Sequence, residues 1–294
     1  MRVGVVGGGL MGAGIAEVCA RRGCDVTVVE ANEVLADRAQ QNVEKSLGRA
    51  LKSGKMAEDE HRDVVGRLAY SSSLEDLEGS DVAIEAIIEN ERLKRELFHE
   101  LDRILPDAPF LGSNTSSVPI MKLGAETSKP ERVIGLHFFN PVPVMPLVEL
   151  VRSILTSHDA LDEARRFAEQ TLGKKCINSQ DRAGFIVNAL LVPYVLSGIR
   201  MFESGFASKD DIDRGMKLGC NHPMGPLELA DLVGLDTLLA VSESLYEEFR
   251  DPSTVAPALL HRMVEAGLLG RKSGHGFYDY REEGASLSQA IGMR

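Results

Sequence analysis

The chain reads as an α/β protein, with a doubly wound N-terminal domain over residues 1–180 followed by an all-α domain over residues 181–294. Three observations predict this. Short apolar, β-branched runs alternate with helical stretches through the first half, as in a parallel sheet covered on both faces. A cluster of glycines separates the first run from the first helix. Beyond Asp181 no further β-run occurs, and the apolar stretches have helical length.

The elements follow in order. Val3–Val6 is a strand ending in glycines, and Leu10–Arg22 a helix. Asp25–Glu30 (DVTVVE) is a second strand, followed by helical composition from Glu33 to about Gly54. Asp81–Ile88 (DVAIEAII) is a near-continuous apolar run, Glu91–Leu105 a helix, Phe110–Ser113 a strand and Arg132–His137 another. The polar stretch 178–182 (NSQDR) marks the domain boundary. Helices are then expected at Ala183–Ser204, Lys209–Leu218, Leu227–Arg250 and Pro257–Ala266. The first of these is apolar nearly all round, so it must be covered by neighbouring helices or by a second subunit.

Composition excludes several functions. A formal charge of −11 opposes nonspecific binding to nucleic acid or to a membrane surface, and the chain has no Trp for stacking bases. The cysteines at 19, 24, 176 and 220 form no Cys-x-x-Cys pair, so no metal site is expected and a reducing, cytoplasmic setting is. The stretch 1–20 is broken by glycines and by Glu17, unlike the compact apolar core of a signal peptide. Gly184–Ile199 carries Asn188 and Pro193 and falls short of the ~20 apolar residues that span a bilayer.

Gly7-Gly8-Gly9-Leu10-Met11-Gly12 fits G-x-G-x-x-G between a strand and a helix, with Glu30 ending the next strand. This is the context of a Rossmann-type dinucleotide site. Gly7 permits the tight turn, Gly9 lets a pyrophosphate approach the backbone, and Gly12 lets the helix pack close. The helix N-terminus offers free N–H groups to phosphates. Glu30 would accept hydrogen bonds from ribose hydroxyls and repel a 2′-phosphate. With Ala31 and Asn32 following and no Arg, NAD is expected over NADP.

His137 ends a strand, and Glu149 lies twelve residues on in a second apolar run, Leu147–Val151. Pro141, Pro143 and Pro146 stiffen the return between them. Such a return can set the carboxylate beside the imidazole, fixing its tautomer and leaving one ring nitrogen to take a substrate proton. A histidine at a strand end also serves as a local polar cap, and the other histidines keep that reading.

With HFFNPV and PLVELV from this segment, Ser113-Asn114-Thr115-Ser116-Ser117, GFIVN from Gly184, NHPMGP from Asn221 and GRKSGHGFY from Gly270, the chain resembles the L-3-hydroxyacyl-CoA dehydrogenases. The resemblance is to the short bacterial 3-hydroxybutyryl-CoA dehydrogenase form and runs over essentially the whole chain. It implies NAD-dependent oxidation of a short-chain L-3-hydroxyacyl-CoA, and the reverse reduction, with His137 as general base and Glu149 as its orienting partner. Ser116 and Asn188 would bind the reacting oxygen, and Ser116 and Asn140 would face the nicotinamide. Leu10 and Met11 belong to the cofactor turn, and Glu89 and Lys94 would line the cofactor riboses, although Lys94 also fits a solvated helix face. A homodimer through the helical domain is implied. Many members carry Arg after the Asn matching Asn188, whereas this chain has Ala189.

A CoA substrate on an acidic protein needs a local basic patch. Lys45, Arg49 and Lys52 share a helix face by their spacing, with Ser46 adjoining and Lys55 just beyond. The resemblance implies that this helical region contacts CoA, with Ser46, Arg49 and Lys52 as its ligands. An ordinary solvated stripe is the competing reading. Two alternatives for function also stand: the same chemistry on another 3-hydroxy acid or thioester (hydroxyadipyl-CoA, a carrier-protein thioester, a sugar acid), or a noncatalytic crystallin-like protein.

Overall fold

The structure, a computed structural model, describes residues 1–281, so the last stretch of the helical domain, 282–294, lies outside the described residues. Its contacts divide the chain into two units, Met1–Phe185 and the remainder from Ile186. The fold is Rossmann-type α/β in the first unit and helical in the second.

The first unit holds strands β1 (Arg2–Val6), β2 (Asp25–Val29), β3 (Leu68–Ser71), β4 (Val82–Glu85), β5 (Leu111–Ser113), β6 (Val133–Phe138), β7 (Leu147–Arg152) and β8 (Lys175–Gln180). Helices α1 (Leu10–Arg21), α2 (Glu33–Lys52), α3 (Glu58–Val65), α4 (Glu91–Ile104), α5 (Ile120–Gly124) and α6 (His158–Arg166) pack around them. The sheet order is β3-β2-β1-β4-β5-β6-β7-β8, and every neighbouring pair is parallel except β6 and β7.

Alternation along the strands feeds two cores. Val3, Val5, Val82 and Ile84 join Ile15, Val43 and Leu47 of α1 and α2 on one face. Val6, Val29 and Ala83 join Phe98, Leu101 and Leu123 of α4 and α5 on the other. Full burial of each such aliphatic side chain favours the fold by roughly 1.5–3 kcal/mol. The helices start at side-chain caps: Asn32 accepts from the Leu35 N–H, Asn90 from Leu93 and Ser157 from Ala160.

Several elements differ from the sequence expectation, each for a physical reason. The run at 81–88 is strand only to Glu85, because the Glu85 carboxylate accepts the Ile87 N–H and turns the chain toward α4. The polar stretch 178–182 is not a linker at its start, since Asn178, Ser179 and Gln180 pair with Leu150, Val151 and Arg152 in β8. An edge strand leaves much of its surface in water and so tolerates polar residues. The short β3, at the opposite edge and half exposed, lacks an apolar run for the same reason. Gly184 and Phe185 have positive φ, so the helix expected from Ala183 begins at Val187.

The second unit comprises α7 (Val187–Glu203), α8 (Lys209–Cys220), α9 (Pro226–Val233), α10 (Leu235–Phe249) and α11 (Ala258–Glu265). The single helix expected over Leu227–Arg250 is broken at Gly234, whose φ of 100° ends α9. Two buried carboxylates tie this unit together. Asp213 accepts the Leu227 and Glu228 N–H groups and the Tyr278 hydroxyl, while Asp231 accepts the Phe277 and Tyr278 N–H groups and the Tyr280 hydroxyl. Burial pushes both carboxyls above the usual carboxylate range. Along α7 the apolar circumference is only partly covered: Val192, Val195, Leu196 and Ile199 are buried, whereas Leu190 is 73% exposed. No helix among the described residues is long and apolar enough to cross a membrane.

Replacing Asn32 by Ala removes the cap of α2 and is expected to lower stability by about 1 kcal/mol. The readout is a shifted urea midpoint at unchanged slope.

Candidate active site

The strand order reverses between β1 and β4, and at such a switch point the strand ends leave a crevice. Its walls are the turn after β1 and the turn after β4. Gly7 sits at φ +96°, and a Cβ there would lie 2.5 Å from the Ala86 carbonyl oxygen. A Cβ on Gly12 would lie 1.7 Å from the Gly7 carbonyl oxygen. Both glycines are therefore demanded by the chain's own packing. At Gly9 nothing lies within 4 Å of the corresponding point, so the N-terminus of α1, which has no side-chain cap, faces open space. Leu10, in the first turn, is exposed, and Met11 packs against the core. Glu30 follows β2 directly and accepts the Gly8 N–H at 2.6 Å, holding a carboxylate beside the glycine turn. These residues fit a dinucleotide: uncapped amides for its phosphates and a carboxylate beside them.

The antiparallel pairing of β6 and β7 sets His137 directly opposite Glu149. The imidazole Nδ1 lies 2.6 Å from Glu149 Oε2, with Glu149 fully buried and His137 nearly so. An ionised carboxylate only accepts, so Nδ1 carries the proton and Nε2 is left with its lone pair. Nε2 has no hydrogen-bond partner among the described residues. Phe139 and Phe185 close on the ring edge to face, at 4.7 and 5.3 Å between centroids. The ring is thus held by one hydrogen bond and two aromatic walls. The connection from β6 to β7 is held from below: Lys174, mostly buried, donates its ammonium to the Val142 and Met145 carbonyls. Burial, with Arg22 nearby, pulls the Lys174 ammonium below the usual lysine range.

Beside the crevice lies a buried ionic chain. Lys94 is 1% exposed, which rules out a solvated helix face. Its ammonium lies 2.5 Å from Glu85 and 3.1 Å from Glu89. Glu85 also accepts the Ser113 hydroxyl. One oxygen of Glu89 accepts the Thr115 and Ser117 hydroxyls and the N–H groups of Ser116 and Ser117. Burial raises the Glu85 carboxyl. Lys94 and the hydroxyl donors outweigh burial at Glu89 and hold it low. The turn bearing Ser116 is joined to β6 by Asn114, which accepts the Phe138 N–H at 2.9 Å. The Ser116 hydroxyl has no partner among the described residues.

A cleft of about 290 Å3 brings Leu10, Gly14 and Glu17 of α1 together with Asn42, Lys45, Ser46 and Arg49 of α2 and with Asn140–Pro143. It unites Ser46 and Arg49 with Asn140, and Lys52, the last residue of α2, lies outside its lining. Asn188 stands in the first turn of α7, in the second unit. No cluster of three or more metal-ligating side chains occurs among the described residues.

Residues 2–182 match the model of the 3-hydroxyacyl-CoA dehydrogenase NAD-binding domain, and residues 184–280 match that of the family's C-terminal domain. The chain belongs to the 3-hydroxyacyl-CoA dehydrogenase family. It is similar to the 3-hydroxybutyryl-CoA dehydrogenase of Mycobacterium tuberculosis, 54% identical over 95% of this chain and 98% of that one. The crystal structure of M. tuberculosis FadB2 matches with a TM-score of 0.93 and 54% identity, over 95% of this chain and 98% of that chain. That of (S)-3-hydroxybutyryl-CoA dehydrogenase from Ralstonia eutropha matches with a TM-score of 0.89 and 44% identity, over 96% and 99%. The cofactor of this 3-hydroxyacyl-CoA dehydrogenase is NAD.

Glu85, Asn114, Phe139, Phe185 and Lys174 escaped the sequence reading. Glu85 carried a usable signal, since a carboxylate inside an apolar strand demands a buried partner. The others are legible only once the strands are paired. Lys94→Met strands the Glu85 carboxylate in the interior and takes the ammonium from Glu89, which is partly exposed. It is expected to cost about 3–5 kcal/mol of stability in chemical denaturation, the range for breaking a buried ion pair from one side.

Proposed function

We propose that this enzyme oxidises short-chain L-3-hydroxyacyl-CoA, 3-hydroxybutyryl-CoA in the first place, to the 3-oxoacyl thioester, and catalyses the reverse reduction. The observation that carries the reading is the buried 2.6 Å contact between His137 and Glu149 at the open end of the sheet that bears the glycine turn. NAD, when bound, supplies the two-electron acceptor for C3.

The chain's own residues do the rest. His137 Nε2 takes the C3 hydroxyl proton, and Glu149 stabilises the imidazolium charge while holding the ring's orientation. In reduction the same nitrogen returns the proton. The unpartnered Ser116 hydroxyl, with Asn188, binds the reacting oxygen. Ser116 and Asn140 border the nicotinamide, and Glu89 and Lys94 the ribose side. The amides of Gly9, Leu10 and Met11 meet the pyrophosphate, and Glu30 the adenosine ribose.

Lys45, Ser46 and Arg49 line the cleft together with Asn140, and they take the CoA phosphates with Lys52, which ends the same helix. Leu190 and Met201 lie on one exposed stripe of α7 by their i, i+11 spacing. That stripe supports a homodimer formed through the helical unit. The absence of paired cysteines fits a cytoplasmic setting.

The wild-type enzyme is expected to form NADH from L-3-hydroxybutyryl-CoA. His137→Ala should keep NAD binding while turnover falls roughly 10²–10⁴-fold, the contribution of a placed base. Near-normal turnover in the folded variant removes His137 from the mechanism. Charge reversal at Arg49 and Lys52 together should raise KM for CoA thioesters but not for the matching pantetheine thioesters. Equal shifts on both substrates would place the phosphates elsewhere.

A further inference from the structure

Glu85 is fully buried at the end of β4 and is assigned no contact with reactants. Three donors reach its two oxygens: one takes the Lys94 ammonium and the Ile87 N–H, the other the Ser113 hydroxyl. From there two routes reach the turn that bears Ser116: the Ser113 hydroxyl accepts the Thr115 N–H, and Lys94 leads to Glu89. Lys94 reaches Glu89, and a single oxygen of Glu89 gathers the N–H groups of Ser116 and Ser117 and the hydroxyls of Thr115 and Ser117. Thr115 then accepts the Val118 N–H, closing the turn, and Asn114 fastens it to the backbone of β6 beside His137. A three-residue turn rich in hydroxyls has little packing of its own to define it. Its geometry here comes from one carboxylate oxygen accepting four hydrogen bonds, and that carboxylate is placed by an ammonium which Glu85 holds.

We infer that Glu85 is a positioning residue for Ser116, acting through Lys94 and Glu89 to fix the Ser116 hydroxyl relative to the imidazole of His137. The inference rests on the reading of Ser116 as the hydroxyl that binds the reacting oxygen. Glu85 itself touches neither substrate nor cofactor. Replacing its charge loosens Lys94, frees Glu89 to rotate, and lets the Ser116 turn drift by a fraction of its length.

The test is a double-mutant cycle in kcat for acetoacetyl-CoA reduction by the full chain, using Glu85→Gln, Ser116→Ala and the two combined. Each variant's melting curve is recorded, and Glu85→Asp takes the place of Glu85→Gln if the latter does not fold. Ser116→Ala should lower kcat. Glu85→Gln should lower it by on the order of 10²-fold, the cost of an ~1 Å misplacement, with KM changed far less. The combined variant should match Ser116→Ala within about twofold, because a residue that works only through Ser116 has nothing to lose once the hydroxyl is gone. A combined loss equal to the product of the single losses overturns the inference, since a merely structural role adds independently. Wild-type kcat in the folded Glu85 variant overturns it too. Wild-type kcat in Ser116→Ala instead sinks the reading of Ser116, and that single variant tells the two failures apart.

Discussion

Everything at the reactive end of the sheet depends on the reversal of one strand. A doubly wound sheet that stayed parallel would leave the end of β6 as a bare strand terminus, with no neighbour returning past His137. Turning β7 back against β6 places Glu149 on the same rung as His137 and on the same face. A buried carboxylate needs hydrogen-bond donors, and the His137 ring is one that Glu149 meets. The carboxylate in turn fixes the orientation of the imidazole.

The site contains a second buried carboxylate with the opposite arrangement. Glu149 faces an imidazole, a partner whose charge depends on its proton, whereas Glu85 faces a lysine ammonium. Two acidic groups near one crevice thus take separate tasks according to what faces them, as environment rather than residue type dictates.

Much of this was legible in the sequence, and the rest was hidden for identifiable reasons. The glycine register, the strand that Glu30 closes and the spacing of His137 and Glu149 follow from local pattern, and in the fold Glu30 accepts the Gly8 N–H and Glu149 lies against His137. The edge strands β3 and β8 were not legible, because half-exposed strands carry no apolar signature. The break at Gly234 was hidden inside a helical composition that continues on both sides of it. Lys94 stands in register with Leu97, Phe98 and Leu101 on the apolar face of α4, but its partner Glu85 lies on β4, outside the helix that carries it. Contacts such as those of Asn114 and Lys174 join segments 24 or more residues apart, and no local window contains both partners.

The Lys174 ammonium spans the carbonyls of Val142 and Met145 within the segment that joins β6 to β7. Surface connections ordinarily accept added or lost residues at little cost, which is how related enzymes acquire new shapes around an old core. This one is stapled at two carbonyls to a distant part of the chain, while its Val142 packs against Gly14. A change in its length would slip the rung on which the acid and the imidazole meet. This hairpin is therefore the part of the scaffold that natural or laboratory evolution cannot stretch.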